Sequence, residues 1–151
     1  MTLKVNIRDF HVIADAMRKD RDKVIRASLI DLSTAIIKDT PVGDPDLWQS
    51  KPPRGYVGGA LRGAWNASTG SANLSINARR KSKTGTAVIG RMRKGVKAFN
   101  PMTETLYFVN PMPYAARIEY QGWSRQAPEG MVRSNVLKLR NFVQRRINEL
   151  R

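Results

Sequence analysis

A helical hydrophobic pattern near the start of the chain is the strongest constraint on its fold. Apolar residues recur at spacings of three, four and seven across residues 9–38, which is typical of an amphipathic helix. The polar run at residues 18–23 interrupts the apolar stripe, and Asp20 is suited to capping a second helix, so a break there fits the pattern. Thr40 and Pro41 end the helix, because a residue that precedes proline avoids the helical region.

The next segment, residues 41–63, predicts a long loop. It contains four prolines and five glycines, which together exclude a long regular element. Trp48 and Tyr56 lie inside it, and large aromatic residues in a loop more often pack onto a core than bind a ligand. We therefore expect a loop that is ordered by the core or by a partner.

Three stretches between residues 64 and 109 favour short strands. Residues 64–69 and 72–78 alternate apolar and polar side chains, with Leu74 and Ile76 on one face and a turn predicted between the two strands. Residues 104–109 form the clearest strand pattern in the chain.

The other segments favour helices. Residues 84–98 carry apolar side chains at helical spacing, although residues 86–89 fit a strand equally well. Residues 114–120 predict a short helix that Gly122 closes. Residues 129–151 predict an amphipathic C-terminal helix with arginines near its end.

The order of these elements predicts an α+β fold in one domain that spans residues 1–151. In this fold a long N-terminal helix and a C-terminal helix pack on a small, mainly antiparallel β-sheet at residues 64–109, which carries a basic insertion. A chain of 151 residues is long enough to bury a core of this kind.

The charge distribution indicates an acidic partner. The chain has 27 Lys and Arg residues against 12 Asp and Glu residues, a formal net charge of +15, which is more than solubility requires. From Leu47 to Thr103 there is no acidic residue, whereas eleven basic ones occur. A solvated basic surface without a partner is the alternative. The candidates for contact with DNA or an acidic protein are Arg79, Arg80, Lys81, Lys83, Arg91, Arg93, Lys94 and Lys97.

The sequence offers little for catalysis, so we expect no enzymatic activity and no bound metal or cofactor. Without cysteine the chain has no disulfide, no thiolate ligand and no cysteine nucleophile. The single histidine, His11, lies beside the apolar stripe of the first helix, where a structural or surface role is favoured over general-base catalysis. Asp44 and Asp46 are two residues apart in the loop, which fits turn chemistry better than a magnesium site.

Two ordered patterns are more informative than any catalytic candidate. The first joins Thr-Pro-Val-Gly-Asp, which begins at Thr40, to a later Leu-Arg and a tryptophan; its key residues are Pro41, Asp44, Leu61, Arg62 and Trp65. The second runs from Asn-Pro-Met-Pro-Tyr-Ala through Glu-Tyr-Gln-Gly to Ala-Pro-Glu-Gly-Met; its key residues are Asn110, Pro113, Tyr114, Ala115, Glu119, Tyr120, Gly122 and Pro128.

Together these patterns resemble the tail-completion, or neck, proteins of tailed bacteriophages, a family that includes the minor tail protein Z type of lambdoid phages. In that family a helix ends in a Thr-Pro-Val-Asp-Thr-Gly-like turn, which Leu-Arg and a tryptophan follow. An Asn-x-x-Pro-Tyr-Ala segment, a Glu-Tyr-Gly and an Ala-Pro-x-Gly-Met sequence then lead to the last helix. The likeness spans most of the chain in the same order. It departs from the family at residues 44–58, which separate elements that are usually adjacent, and at the inserted Gln121.

The resemblance implies a structural virion protein that joins the tail to the head at the connector–tail interface, without catalysis. It implies a homo-oligomeric ring, expected to be a hexamer in the virion, between head-closure or connector proteins and the tail terminator and tail tube proteins. Such a protein would be assembled in the host cytoplasm and would lie in the neck, at the head-proximal end of the tail. A heterologous ring requires two different faces per subunit, for which the long loop and the terminal helix are candidates.

In this interpretation the motif residues mainly serve the fold. Tyr114 and Tyr120 are expected at the edge of the core, and Glu119 is expected to be a buried or half-buried acceptor that pairs with a basic group such as Arg62. The basic residues are expected to contact genomic DNA non-specifically, through its phosphates, or to dock onto acidic neighbouring proteins.

Two alternatives stay open. The chain fits a stand-alone basic nucleic-acid-binding protein, with the last helix or the basic residues on the phosphate backbone. It fits a small metal-dependent nuclease only if Asp44, Asp46, Glu104 or Glu119 converge.

A membrane partner is not expected. No segment approaches the roughly 18 consecutive apolar residues that a membrane-spanning helix requires. The first residues are basic, but Asp9, Asp15 and Asp20 follow closely. The N-terminal segment therefore lacks the uninterrupted apolar stretch of a signal peptide. The sequence alone therefore predicts a soluble protein that is made and kept in a cytoplasm.

Overall fold

The computed structural model describes the backbone of residues 7–47 and 51–150 and the side chains of residues 14–47 and 51–150. The predictions for Trp48 and for the side chain of His11 lie outside the described residues. The described elements, in chain order, are α1 (Ile7–Asp39), a 3-10 turn (Pro45–Leu47), α2 (Ala60–Gly63), β1 (Asn66–Thr69), α3 (Thr86–Ala98), β2 (Leu106–Val109), α4 (Ala115–Gln121), α5 (Arg133–Val136) and α6 (Leu139–Asn148).

The fold is α+β, as the sequence predicts. Strands β1 and β2 form a two-stranded antiparallel sheet, in which Asn66 pairs with Val109 and Thr69 with Leu106. The helix that packs most extensively against this sheet is α3, and α1 packs against both α3 and α6. The predicted covering of the sheet by the two terminal helices is therefore replaced by a layer in which α3 lies against both α1 and β1.

Helix α1 is continuous, so the break that the polar run at residues 18–23 allowed does not occur. The helix ends at Asp39, and Thr40 and Pro41 follow it as buried residues. The predicted end of the helix is therefore confirmed. Among the described residues, no helix is both long and apolar enough to cross a bilayer, α1 included.

The hydrophobic core lies between the C-terminal half of α1, the inner face of α3 and Trp65. Ile37 and Val88 are completely buried, and the Trp65 indole stacks on the Phe108 ring with 4.4 Å between ring centroids and 9° between planes. Residues 86–89, which also fitted a strand, belong to α3, because its helical spacing buries Val88, Met92 and Val96 on one face.

The predicted loop at residues 41–63 contains two short helical segments, the 3-10 turn and α2. The turn follows from Asp44, whose side-chain oxygen accepts a hydrogen bond from the Asp46 backbone N–H at 3.1 Å. This is the turn chemistry that the sequence predicts for Asp44. The prediction of a loop as far as Gly63 is not confirmed, because Leu61 and Arg62 lie in the four-residue helix α2.

The predicted strand at residues 72–78 does not form. The side-chain amide of Asn66, which is buried, donates hydrogen bonds to the carbonyl oxygens of Asn73 (3.1 Å) and Ser75 (2.9 Å). Hydrogen bonds from a side chain of β1 thus hold this segment, and they replace the backbone pairing that was expected between two strands. Leu74 and Ile76 remain exposed, so the apolar alternation contributes to no core among the described residues.

The predicted C-terminal helix at residues 129–151 begins later and is divided. Its first helical residue is Arg133, because Gly130 adopts a φ of +84° and the backbone beyond it is held by Glu119. A turn at Leu137 and Lys138 separates α5 from α6. Asp31 of α1 accepts hydrogen bonds from the guanidinium groups of Arg145 (2.9 Å) and Arg146 (2.6 and 2.8 Å), which fixes α6 to α1.

Replacing Thr40 by valine should destabilise the fold by about 1–3 kcal/mol, because it leaves the buried Trp65 indole N–H, now 2.8 Å from the Thr40 Oγ1, without an acceptor. Chemical denaturation followed by tryptophan fluorescence measures this change. The matched control is Thr103→Val at an exposed position, which should change the free energy of unfolding by less than about 0.5 kcal/mol. Equal stabilities of the two variants would contradict the assigned role of Thr40.

Candidate functional site

The residues of the first sequence pattern converge on the C-terminal end of α1. The hydroxyl of Thr40, which is fully buried, donates to the Ile36 carbonyl oxygen at 2.7 Å and accepts from the Trp65 indole N–H. Thr40 therefore closes the last turn of the helix and fixes the orientation of Trp65. Leu61 is buried beside them in the same core cluster.

Arg62 joins this junction from α2. Its guanidinium donates to the carbonyl oxygens of Lys38 (2.9 Å) and Thr40 (2.7 and 2.9 Å), and also to that of Lys83. A cation is favoured at a helix C-terminus, where unpaired carbonyl groups concentrate negative potential. Burial lowers the pKa of Arg62, and the carboxylate of Asp39 partly offsets this effect. The predicted ion pair between Arg62 and Glu119 is therefore wrong, because Arg62 binds backbone carbonyls.

The second pattern is joined to the first through Asn110. The Asn110 side-chain amide donates to the Leu61 carbonyl oxygen at 2.9 Å, and its oxygen accepts from the Met112 N–H at 3.2 Å. One side chain thus anchors the Asn-Pro-Met-Pro turn to α2. The two patterns that carry the resemblance belong to one connected structure.

Glu119 of α4 holds the chain that leads into α5. Its buried carboxylate accepts hydrogen bonds from the backbone N–H groups of Met131 (2.8 Å), Val132 (2.9 Å) and Arg133 (2.9 Å). Burial alone would raise the pKa of Glu119, but these N–H groups and the charge of Arg133 outweigh it, so the pKa lies below its usual value. The prediction that Glu119 is a buried acceptor is confirmed, although its partners differ from the predicted one.

The other residues of the second pattern have fold roles of different kinds. Tyr114 is half-buried, and burial, with a smaller effect of Tyr56, raises the pKa of its phenol. Tyr120 is not at the core edge as predicted: it is 69% exposed, and the Arg133 guanidinium lies over its ring at 5.2 Å from the centroid. Gly122 ends α4 with a φ of 64°, as predicted.

The other three positions of this pattern, Pro113, Ala115 and Pro128, lie at the two ends of α4. Ala115 is buried at the start of α4, whereas Pro113 and Pro128 are exposed. The carbonyl oxygen of Pro128 lies 3.9 Å from the position that a Cβ atom would take at Gly122. The turn after α4 therefore runs back past the end of that helix.

Residues of both patterns line one cleft of about 870 Å³. Pro41, Asp44 and Leu61 contribute from the first pattern and Tyr114 from the second, and aromatic surface lies beside carboxylates in the lining. The side chain of Gln126 spans it, accepting from the Val42 N–H (3.1 Å) and donating to the Val42 carbonyl oxygen (2.9 Å). The sequence gives no signal for this bridge, because its partners are 84 residues apart.

The basic residues of α3 form an outward face. Arg93, Lys94 and Lys97 are exposed on the side of α3 away from its buried apolar residues. Arg91 lies at the edge of this face and donates to the Gly63 carbonyl oxygen at 3.0 Å. Burial lowers the pKa of Arg91, and the neighbouring positive charge of Arg80 lowers it further.

The basic segment before α3 is packed against α2. The Ser82 N–H donates to the Gly59 carbonyl oxygen at 2.9 Å, and a Cβ atom at Gly63 would lie 2.0 Å from the Arg80 carbonyl oxygen. The segment therefore requires glycine at position 63. Its side chains Arg79, Arg80, Lys81 and Lys83 are exposed.

No ion pair neutralises these eight basic side chains within the described part of the chain. The ion pairs there join residues of α1, α4, α5 and α6 and their ends. Arg80 and Arg91 bind neutral acceptors, the Asn66 side-chain oxygen (3.3 Å) and the Gly63 carbonyl oxygen. The positive charge of this region is thus available to an acidic partner.

The carboxylates that a metal-dependent nuclease would need do not form a metal cluster among the described residues. Glu119 is engaged by α5, and Glu104 accepts from the Asn100 N–H at 2.6 Å. Asp44 binds the backbone of its own turn. The geometry therefore gives the nuclease hypothesis no support.

Comparison with known proteins gave no match to a protein-family model, to a curated protein or to a solved structure.

Replacing Glu119 by glutamine should destabilise the protein by about 2 kcal/mol at neutral pH, because a neutral amide oxygen replaces the charged acceptor of three backbone N–H groups, of which that of Met131 is buried. Folding lowers the pKa of Glu119. The stability that the ionised carboxylate contributes is therefore fully present above the pKa of the unfolded chain, about 4.3, and is lost as the pH falls through the lowered pKa of the folded protein.

Urea denaturation at several pH values measures both effects. The stability difference between wild type and Glu119→Gln should shrink as the solution is acidified, whereas Glu129→Gln, at an exposed position, should show little difference at any pH. A difference that stays constant down to the most acidic pH would rule out the charged form of Glu119 as its source.

Proposed function

We propose that the chain is a structural virion protein of a tailed bacteriophage, a tail-completion or neck component that joins the tail to the head as a subunit of a ring. The observation that carries this proposal is the convergence of the two sequence patterns on which the resemblance rests. Asn110 binds the backbone of Leu61, while Arg62 and Trp65 bind Thr40. Residues that match the family in order along the chain are therefore also connected in space.

The distribution of charge supports a position between other macromolecules. The eight basic side chains are exposed, or partly exposed in the case of Arg91, and have no carboxylate partner among the described residues. The segment between Leu47 and Thr103 is free of acidic residues. DNA of every sequence passes a protein that lies beside the DNA channel. Contacts to the phosphate backbone are therefore sufficient for binding, and no base-specific contact is required. Head-closure, connector, tail terminator or tail tube proteins with acidic surfaces are the other partners that this charge favours.

The resemblance also suggests a hexameric ring and assembly in the host cytoplasm, and these remain parts of the proposal. No catalytic step is assigned. The motif side chains, Arg62, Trp65 and Glu119 among them, are engaged in contacts that hold the fold.

Deleting the gene from the phage that encodes this chain should yield filled heads and complete tails that do not join, with infectious particles reduced by orders of magnitude. Electron microscopy of the lysate and plaque counts measure this outcome. Supplying the wild-type chain or Thr103→Val from a plasmid should restore joining. Joined, infectious particles in the absence of the chain would contradict the proposed function.

A stand-alone nucleic-acid-binding protein is the second candidate, and the unpaired basic face of α3 favours it. This candidate predicts tight binding of duplex DNA by the isolated chain, whereas a neck protein needs only non-specific contact, with a Kd on the order of 10⁻⁴–10⁻⁶ M at physiological salt. The two candidates therefore differ in affinity and agree in being sensitive to salt.

Changing Arg93, Lys94 and Lys97 together to glutamine should weaken DNA binding and reduce the slope of log K against log salt by about 0.9 for each phosphate that the variant no longer neutralises. Fluorescence anisotropy with a labelled duplex measures the slope. The matched control changes Arg18, Lys19 and Lys23 to glutamine; these residues are exposed on α1, where acidic residues alternate with them, and the change in net charge is the same. Equal slopes for the two triple variants would show that the face of α3 does not contact DNA.

A further inference from the structure

The segment at residues 71–75 is bound to side chains of β1 at every second residue, along one edge only. Ser71, Asn73 and Ser75 are engaged toward β1: the Ser71 carbonyl accepts from the Ser68 hydroxyl at 2.6 Å, and the Asn73 N–H donates to that hydroxyl at 3.1 Å. The carbonyl oxygens of Asn73 and Ser75 accept from the Asn66 amide. Alternate residues of the segment are thus bound on one edge.

The intervening residues, Ala72, Leu74 and Ile76, have no hydrogen bond to any described residue through their backbone N–H and C=O groups. In a strand the N–H and C=O groups of one residue point to the same edge, and those of the next residue point to the other. The unpaired groups of these three residues therefore define a second, open edge. Leu74 and Ile76 are 67% and 52% exposed, and their spacing of two places them on one face.

Strand β2 offers a complementary edge. It pairs with β1 along one side, and no backbone group of Leu106–Val109 has a hydrogen bond to a described residue on its other side. All four of its residues are partly exposed. A two-stranded sheet with an open edge is a ready template for a further strand.

The two open edges match in apolar pattern. An antiparallel register that sets Leu74 opposite Phe108 and Ile76 opposite Leu106 places apolar side chains beside apolar side chains on one face. In this register Glu104 falls opposite Ala78, and the pairing ends there because a hydrogen bond from the Arg80 N–H to the Asn77 carbonyl oxygen closes a turn at residues 78–79.

We propose that residues 72–77 of one copy of this chain add as an antiparallel strand to the open edge of β2 in a second copy. The proposal rests on the proposed function, because it supplies the contact between neighbouring subunits of the ring. The two edges are different surfaces of the same chain, so the contact is heterologous, and repetition of a heterologous contact generates a ring when the rotation closes. It also accounts for the alternating apolar side chains Leu74 and Ile76, which are exposed in a single copy.

Cysteine cross-linking tests the pairing directly, since the chain has no cysteine of its own. In the proposed register Ser75 lies opposite Tyr107, and directly opposite residues have Cβ atoms close to the separation that a disulfide needs. Mixing Ser75→Cys with Tyr107→Cys protein under mild oxidation should give a disulfide-linked dimer several-fold faster than mixing Ser75→Cys with Gln144→Cys, which lies on α6. Equal rates for the two mixtures would overturn the proposal.

A second variant separates this proposal from the proposed function. Changing Leu74 and Ile76 together to lysine should leave the Tm nearly unchanged, because both side chains are exposed in one copy, yet should abolish the preferential cross-link and the joining of heads to tails. The control Leu137→Lys, at a side chain 85% exposed, should retain both. If the double variant still joins heads to tails while the deletion does not, the strand pairing fails and the proposed function stands; if the deletion itself joins them, the proposed function fails.

Discussion

The guanidinium of Arg62 and the hydroxyl of Thr40 together hold the C-terminal end of α1, and most of the remaining structure is arranged around that point. Carbonyl groups at a helix end need donors, and the planar guanidinium supplies several in a fixed geometry. By binding the carbonyl oxygens of Lys38, Thr40 and Lys83, Arg62 brings α2 and the basic segment to the end of the longest helix. Trp65 then follows within hydrogen-bond reach of Thr40 and stacks on the sheet.

A second centre of the same kind determines the C-terminal part of the chain. Glu119 binds three consecutive backbone N–H groups, so the first turn of α5 is fixed by a carboxylate from α4. Both centres use a charged side chain to satisfy backbone groups at a helix end. Because the motif residues are used in this way, the surfaces left for partners include the basic residues, the cleft and the open strand edges.

The sequence was sufficient wherever local patterns decide the structure. The end of α1 at Thr40 and Pro41, the helix at α3, the strand at β2 and the closing of α4 by Gly122 were all predicted from spacing and from the conformations of proline and glycine. The buried position of Glu119 and the turn at Asp44 were predicted as well.

Predictions failed where a side chain binds a distant backbone group, because such a partner leaves no mark in the sequence. Arg62 was expected to pair with a carboxylate and instead binds carbonyls. Residues 72–78 alternate as a strand does, yet Asn66 holds them in place of a ladder. The C-terminal helix starts at Arg133 and not at residue 129, because Glu119 holds the residues before it. The amide bridge of Gln126 to Val42 had no local signal at all.

The proposed function requires the chain to lie at the junction of head and tail in the assembled particle. Electron cryomicroscopy of purified virions, with the chain fitted into the density, measures this most directly. The account predicts a ring of copies at the junction of head and tail, with the basic face of α3 toward DNA or toward an acidic neighbouring protein. Density at that junction that excludes this fold, in virions from which the chain is absent by mass spectrometry, would contradict it.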